Sequence, residues 1–239
     1  MAAVEELYHK PGSPHYYGMT RGDVVKFLEK YVKAKGLKPQ SALEIGCGGG
    51  KTGKMLKERL GLDYYAGVEL MPEAAAQAKE NIDWVMQGNV EEMIPEGRMG
   101  ELPDRKYDLL LYLDVLEHLY NPWKVLEVTS KLLKPGGLLI GSIPNIGNLY
   151  ILWKIMRDQF AYEEEGLLDK THIRWFTAST IKDMVGKEFD LREMGSNHDT
   201  WKTMNWQQKV FYIGTLGLWK RLFIRQYLFI AEVKPEKNA

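Results

Sequence analysis

From Ser41 to Asn145 the chain alternates short apolar runs with longer stretches of helical composition. That alternation predicts repeated βα units on a parallel sheet. Residues 42–45 read as a strand entering a glycine turn, and 51–60 as the helix that follows. Strands are expected at Tyr64–Glu69 and Trp84–Gln87, with an Ala/Glu/Gln/Lys-rich helix over 72–81 between them. The segment 107–114 is almost continuously apolar, which implies burial on both faces at the centre of a parallel sheet. A helix is expected over 121–133 with Pro122 at or near its first position, then a turn at 134–137 and a strand over 138–143. Regular alternation stops after Pro144. Residues 146–176 read as an insertion, part helix and part loop, before a helix over 177–188 and strands over 189–194 and Gln226–Val233.

A chain of 239 residues with 45% hydrophobic content suits one α/β domain plus insertions, and is short for two independent domains. Lys+Arg and Asp+Glu both total 32, and this balance argues against a nucleic-acid partner, which usually meets a basic excess. Cys47 is the only cysteine, so no internal disulfide is expected and a secreted, stapled scaffold is excluded. The opening Met1-Ala2-Ala3-Val4-Glu5-Glu6 is acidic and lacks the apolar core of a signal peptide. No apolar run reaches bilayer length, since 210–230 is broken by Lys220, Arg221 and Arg225. The cytoplasm is the expected location.

Three readings compete for the glycines at 46–53. A dinucleotide fingerprint wants a third glycine where this chain has Lys51. A P-loop finds its ending in Gly50-Lys51-Thr52, but Ile45 stands in place of its first glycine and Gly46 is one residue too close. Asp114 at the end of an apolar run imitates the magnesium-binding strand of an ATPase, yet a loop one residue short cannot wrap a phosphate chain. The third reading is an acid on the strand followed by Gly-x-Gly-x-Gly, which Glu44-Ile45-Gly46-Cys47-Gly48-Gly49-Gly50 matches in full. Such glycines let backbone pass close to an amino-acid-plus-nucleoside ligand that carries no phosphate. Glu69 ends the second strand, where an acid would accept hydrogen bonds from both ribose hydroxyls. Asn89 follows the third strand and offers an amide to the adenine amino group, although it also reads as an ordinary turn residue.

With Asp114-Val115-Leu116-Glu117-His118-Leu119, and Leu133-Lys134-Pro135-Gly136-Gly137 before a strand ending Ile143-Pro144-Asn145, the chain resembles the class I S-adenosylmethionine-dependent methyltransferases over 16–233. The resemblance implies an α/β, Rossmann-like fold: a seven-stranded, mostly parallel sheet with helices on both faces and an antiparallel last strand near the edge. It implies S-adenosyl-L-methionine as cofactor and S-adenosyl-L-homocysteine as product. The residues it points to are Glu44, Gly46, Cys47, Gly48, Glu69, Leu70, Asn89, Val90, Leu113 and Asp114. On this reading the whole chain, 1–239, is a single methyltransferase domain. Residues 1–40 form a capping helix region, in which Tyr17 and Arg21 cover the methionine end and Arg21 pairs with its carboxylate or lies on the surface. Residues 146–176 build the acceptor site, and 199–225 form a lid-like insertion. A narrower resemblance, carried by Gly166-Leu167-Leu168-Asp169-Lys170-Thr171-His172-Ile173-Arg174-Trp175-Phe176-Thr177, is to a bacterial subgroup associated with surface polysaccharide, lipopolysaccharide and small-molecule O-methylation. It implies a sugar, nucleotide-sugar or other small hydroxylated acceptor. A quinone precursor or secondary metabolite, methylated on oxygen, nitrogen or carbon, is the alternative within the class. A non-catalytic cofactor-binding accessory protein is the alternative outside it.

Methyl transfer from a sulfonium is an in-line displacement, and a hydroxyl acceptor must also lose its proton to a base. His172 is the first candidate for that base, in the insertion where the acceptor is expected, with His118 as rival or partner near Asp114. Both also have structural readings, as a loop histidine bonded to Asp169 and as a helix-packing residue. Asp114, Glu117, His118, Asp169 and His172 are suitable metal ligands by type, but no tight spacing joins them and no metal is predicted. Trp153, Phe160, Tyr162, Trp175 and Phe176 either line an acceptor pocket or form the core of the insertion. Residues 201–225 mix aromatic and basic side chains and suit a lid, a homodimer surface or a peripheral membrane contact.

Overall fold

The computed structural model describes residues 20–103, 105–197 and 219–235, together with 206, 209, 210 and 213. Tyr16 and Tyr17, and most of the lid-like segment expected at 199–225, lie outside the described residues. Strands β1 (Ser41–Ile45), β2 (Tyr64–Glu69), β3 (Trp84–Gln87), β4 (Tyr107–Leu113), β5 (Leu133–Pro144), β6 (Phe189–Ser196) and β7 (Gln226–Val233) form one seven-stranded sheet in the order β3-β2-β1-β4-β5-β7-β6. Every pairing from β3 through β5 is parallel, while β7 runs antiparallel between β5 and β6. This is the Rossmann-like sheet with an antiparallel last strand that the sequence implies. The helices are α1 (Gly22–Lys35), α2 (Lys51–Leu60), α3 (Pro72–Ala78), α4 (Val90–Met93), α5 (Pro122–Ser130), α6 (Leu149–Met156) and α7 (Ala178–Val185).

The continuous apolar run of β4 is explained by two cores, one on each face of the sheet. Leu110 and Tyr112 join Leu43, Ile45 and Val68 with residues of α5 and α7. Leu109, Leu111 and Leu113 point the other way, to Ala42, Tyr65 and the inner faces of α1 and α2. Helix α1 buries Val24, Val25, Leu28, Tyr31 and Val32, the stripe expected of a helix laid on a sheet, and stops at Gly36 in the left-handed region. Asn89, Asn121, Asn148 and Thr177 each accept a backbone N–H and so begin α4, α5, α6 and α7.

Several helices are shorter than expected. The helix predicted over 72–81 ends at Ala78, and that over 177–188 is capped by Thr177 and ends at Val185. The one predicted over 121–133 ends at Ser130, because Leu133 already pairs with Tyr107 on β4. Lys134 to Gly137 are then accommodated as an outward bulge inside β5, since the register moves from Tyr107↔Leu133 to Leu109↔Leu138. Just before the insertion, the Asn145 amide donates to Arg221 O at 3.0 Å and Ile224 O at 2.8 Å, tying the end of β5 to the approach to β7. Among the described residues no helix is long and apolar enough to cross a membrane.

Gly141 of β5 faces Phe229 of β7 in register, and the Phe229 ring lies over the space a Cβ would take. Gly141→Ala is therefore expected to destabilise the protein by ~1–3 kcal/mol through overpacking. Phe229→Leu in the same chain should recover part of that loss, with both read by urea denaturation.

Candidate active site

A cleft of about 300 Å³ opens at the carboxyl ends of β1, β2 and β4, where ligands bind in open α/β sheets. Its floor is the glycine turn. Gly46, Gly48 and Gly50 all hold positive φ, at 74°, 52° and 75°, a conformation costly for a side chain. At Gly46 a Cβ would also strike the Val115 side chain, so the turn and the segment after β4 close on each other. Gly46 N–H and Cys47 N–H donate to Val68 O at 2.8 and 3.2 Å, and Gly50 N–H returns to Cys47 O at 2.9 Å.

Glu69 ends β2 with its carboxylate inside the turn. It accepts Gly48 N–H at 2.8 Å and Met71 N–H at 2.9 Å, one on each oxygen. Burial pushes its pKa up, opposed by the amides of Met71, Gly48 and Leu70. An amide that would face a phosphate in a P-loop thus faces a carboxylate here. Glu44, buried on β1, accepts the Tyr65 hydroxyl at 2.9 Å, and burial pushes its carboxyl up to about 7, with repulsion from Glu69 adding to the effect.

Asp114 follows β4 with φ 58°, one of two described non-glycine residues with positive φ. Asp is among the few residues that tolerate this region. Its carboxylate accepts Ser142 Oγ at 3.0 Å from β5, together with the Gln226 amide from β7 and the Arg21 guanidinium. Arg21 also donates to both Asp23 oxygens at 3.0 and 2.8 Å, to Ser142 Oγ at 3.0 Å and to Gln226 Oε1 at 3.4 Å. A guanidinium has five N–H donors, and each one has a protein partner here. Enclosure pushes the Asp114 pKa up, and the Arg21 charge opposes it.

Leu116 to His118 form a single 3-10 turn that puts His118 on the cleft wall and Glu117 behind it. The Glu117 carbonyl accepts both Ile173 N–H and Arg174 N–H at 3.0 Å, which pins the insertion to this turn. His172 consequently lies against His118, ring centroids 4.7 Å apart at 61°. Nδ1 of His118 lies 3.1 Å from Thr171 O, and Nδ1 of His172 lies 3.4 Å from Leu167 O. The Glu117 carboxylate is 1% exposed and neither oxygen has a hydrogen-bond partner. Burial and the neighbouring Asp114 charge push its pKa well above the usual range.

A family of proteins described as "methyltransferase domain" matches residues 19–192. The chain belongs to this methyltransferase family. A ubiquinone biosynthesis O-methyltransferase of Glaesserella parasuis is 26% identical over 178 residues, covering 66% of this chain and 72% of that protein. The Coxiella burnetii protein of the same name is 24% identical over 138 residues, so the chain spans just over half of its length, 56%. In fold, the N-methyltransferase NodS from Bradyrhizobium japonicum, solved with S-adenosyl-L-homocysteine, superposes with TM-score 0.60 at 14% identity over 98% of both chains. The plantazolicin methyltransferase BpumL, also solved with that product, gives 0.63 at 16% identity over 98% of this chain and 95% of its own.

The cleft gathers Arg21, Glu44, Gly46, Cys47, Gly48, Glu69, Leu70, Asn89, Val90, Leu113, Asp114 and His118 of the residues singled out from sequence. Arg21 and Asn89 have local duties there, and His172 falls outside the cleft. Arg21 is engaged by Asp23, Asp114, Ser142 and Gln226, leaving no N–H over for a ligand carboxylate. Asn89 accepts Glu91 N–H at 3.0 Å as a helix cap, its turn-residue reading. His172 does not line the cleft but stands behind His118. The metal reading changes too: sequence spacing joins no ligands, whereas the fold brings ligand atoms of Glu117, His118 and His172 within 4.8 Å of one another. Of the insertion's aromatics, Phe176 belongs to the main core and Trp175 meets both His172 and Phe160 edge-on, while Trp153, Phe160 and Tyr162 are exposed. Ser142 and Gln226 were missed because they join the site only by contact across the sheet, and Asp23 because its bond to Arg21, two residues away, has no sequence signal of its own.

A carboxyl raised from 4.5 to about 7 on folding lowers stability as pH rises through that window, because the native state holds the proton more tightly. Glu44→Gln keeps an acceptor for Tyr65 but removes the charge. We expect it to match wild type within ~1 kcal/mol at pH 5 and to exceed it by ~1–3 kcal/mol at pH 8. Equal destabilisation at both values in urea melts would contradict this account.

Proposed function

We propose that this methyltransferase takes its methyl group from S-adenosyl-L-methionine and places it on a hydroxyl of a small acceptor. The observation that carries the first half is the charge of the cleft. Among the described residues Glu44, Glu69, Glu91 and Asp114 line it against a single arginine or lysine, Arg21, whose charge is already matched by Asp23 and Asp114. Such a lining repels a phosphate chain and suits a ligand with a sulfonium, an ammonium and a ribose diol. Glu69, held by Gly48 and Met71, keeps lone pairs to accept both ribose hydroxyls. Leu70, Val90 and Leu113 supply apolar wall for the base and sugar.

The second half rests on the cluster at the cleft wall. Oxygen is a poor nucleophile until it loses its proton, and the cluster of Glu117, His118 and His172 is the group of side chains placed to promote that loss. His118, rather than His172, reaches the cleft, with His172 holding it from behind. The acceptor is a ring bearing hydroxyls, either a sugar or a phenolic quinone precursor. The edge-on aromatics at Phe160 and Trp175 suit the faces of both, and the quinone reading is favoured by the ubiquinone-pathway names of the relatives.

Titration calorimetry with S-adenosyl-L-homocysteine tests the first half. Wild type should bind it, and Glu69→Ala should weaken binding at least ~10-fold through loss of hydrogen bonds to a charged acceptor, worth ~1.5–3 kcal/mol each. A wild-type chain that binds neither donor nor product sinks the reading. His118→Ala should keep product affinity within ~3-fold while losing ~100-fold or more of transfer to a panel of catechols and sugars. Undiminished transfer would remove His118 from the reaction.

A further inference from the structure

We propose that Glu117, His118 and His172 bind one divalent metal ion at the cleft wall, and that the acceptor completes its coordination through the reacting hydroxyl and an oxygen on the adjacent carbon. The acceptor half of this proposal rests on the function proposed above.

The ligand atoms of the three side chains lie within 4.8 Å of one another. An ion bonded at ~2.0–2.2 Å bridges atoms up to ~4.4 Å apart, so a small rotamer adjustment closes the set. The Glu117 carboxylate is 1% exposed, and neither oxygen has a hydrogen-bond partner. A carboxylate buried in that way is costly unless a cation accompanies it, and Arg21 is already engaged by Asp23 and Asp114. The imidazoles are oriented for the same purpose. Nδ1 of His118 faces Thr171 O and Nδ1 of His172 faces Leu167 O. A carbonyl only accepts, so Nδ1 is the donor in each contact and Nε2 is the nitrogen that would ligate the ion, the disposition of metal-binding histidines.

The supporting frame is stiff. Glu117 and His118 share one 3-10 turn, and the backbone of Ile173 and Arg174 is bonded to the Glu117 carbonyl. Buried Asp169 fixes the loop before His172 by accepting Thr171 N–H at 2.8 Å and its hydroxyl at 2.7 Å. Two imidazoles and one carboxylate suit manganese, cobalt or zinc better than calcium, which prefers oxygen throughout. Three protein ligands leave positions open, and because His118 lines the cleft those positions face it. An acceptor with neighbouring oxygens, a vicinal diol or a catechol, fills two of them. The ion lowers the pKa of the bound hydroxyl, whose proton leaves to water. The resulting oxyanion attacks the methyl carbon; the O–C bond forms as the C–S bond breaks, and its electron pair goes to sulfur. The products are the methyl ether, S-adenosyl-L-homocysteine and one proton, with no change of oxidation state. In this arrangement the histidines hold the ion and are not proton acceptors.

The test uses the full chain stripped with chelator and titrated with cobalt(II), followed by its visible bands and by thermal melting. One equivalent should bind with the spectrum of mixed nitrogen and oxygen ligation, and should raise the melting temperature. Glu117→Gln and His172→Ala, checked for folding by circular dichroism, should each weaken binding by ~10–100-fold or more, the loss seen even for residues that only orient ligands. Saturation of either variant at the wild-type cobalt concentration overturns the site, as does absence of binding by wild type to cobalt, manganese and zinc. S-adenosyl-L-homocysteine affinity in the same samples separates the two proposals. Product binding without metal uptake overturns the metal site alone, and metal uptake without product binding overturns the methyltransfer reading alone. Transfer to a catechol that persists unchanged in chelator overturns the acceptor role of the ion.

Discussion

The carboxylate of Asp114 is where the separate parts of the cleft are joined. It collects Arg21 from the approach to α1, Ser142 from β5 and Gln226 from β7, and it does so from a left-handed backbone at the end of β4. That backbone turn directs the chain into the 3-10 turn that carries Glu117 and His118. The same Arg21 presents its backbone N–H to Thr52 Oγ1 of α2 at 3.1 Å, so α1, α2 and three strands converge on one ion pair. An ordinary strand end would not need such support. Here a positive φ on a residue with a side chain is stabilised by a peptide N–H donated to Ser142 Oγ at 3.1 Å and by the charge opposite.

Most of the sheet was legible because its signals are local. Alternation between two buried faces marks β4, a strand-end acid marks β2, and the glycines at 46, 48 and 50 announce a turn that needs positive φ. Helix ends were overextended where a strand partner decides them: Leu133 reads as helix in isolation, and pairing with Tyr107 makes it strand. That the strand-end residues share one cleft was legible for the same reason as the sheet, since the cleft is built from consecutive strand ends. The cluster behind His118 was not. Glu117 and His172 are 55 positions apart on segments with no common periodicity, and they meet only because the Glu117 carbonyl accepts two amides from the insertion. No spacing rule contains that bond.

Cleft charge and cleft geometry act on different parts of one ligand. The acids near the glycine turn favour a cationic donor, while Arg21 is kept neutralised by Asp23 and Asp114 and adds little positive potential. At the other wall a buried carboxylate and two imidazoles sit within reach of each other behind a single exposed edge of His118.

The insertion of β7 between β5 and β6 has a consequence for the order in which the molecule takes shape. Strand β6 leaves the ribosome before its only described sheet neighbour, so it must wait, unpaired, for residues 226–233. Contacts that close over such a long stretch of chain form late and slowly. The same strand brings Gln226 to Asp114, so completing the sheet and finishing the cleft are one event in the life of the nascent chain. A half-made polypeptide would carry the glycine turn in place and Asp114 without its Gln226 partner, and it would present the edge of β5 to any other unpaired strand in reach.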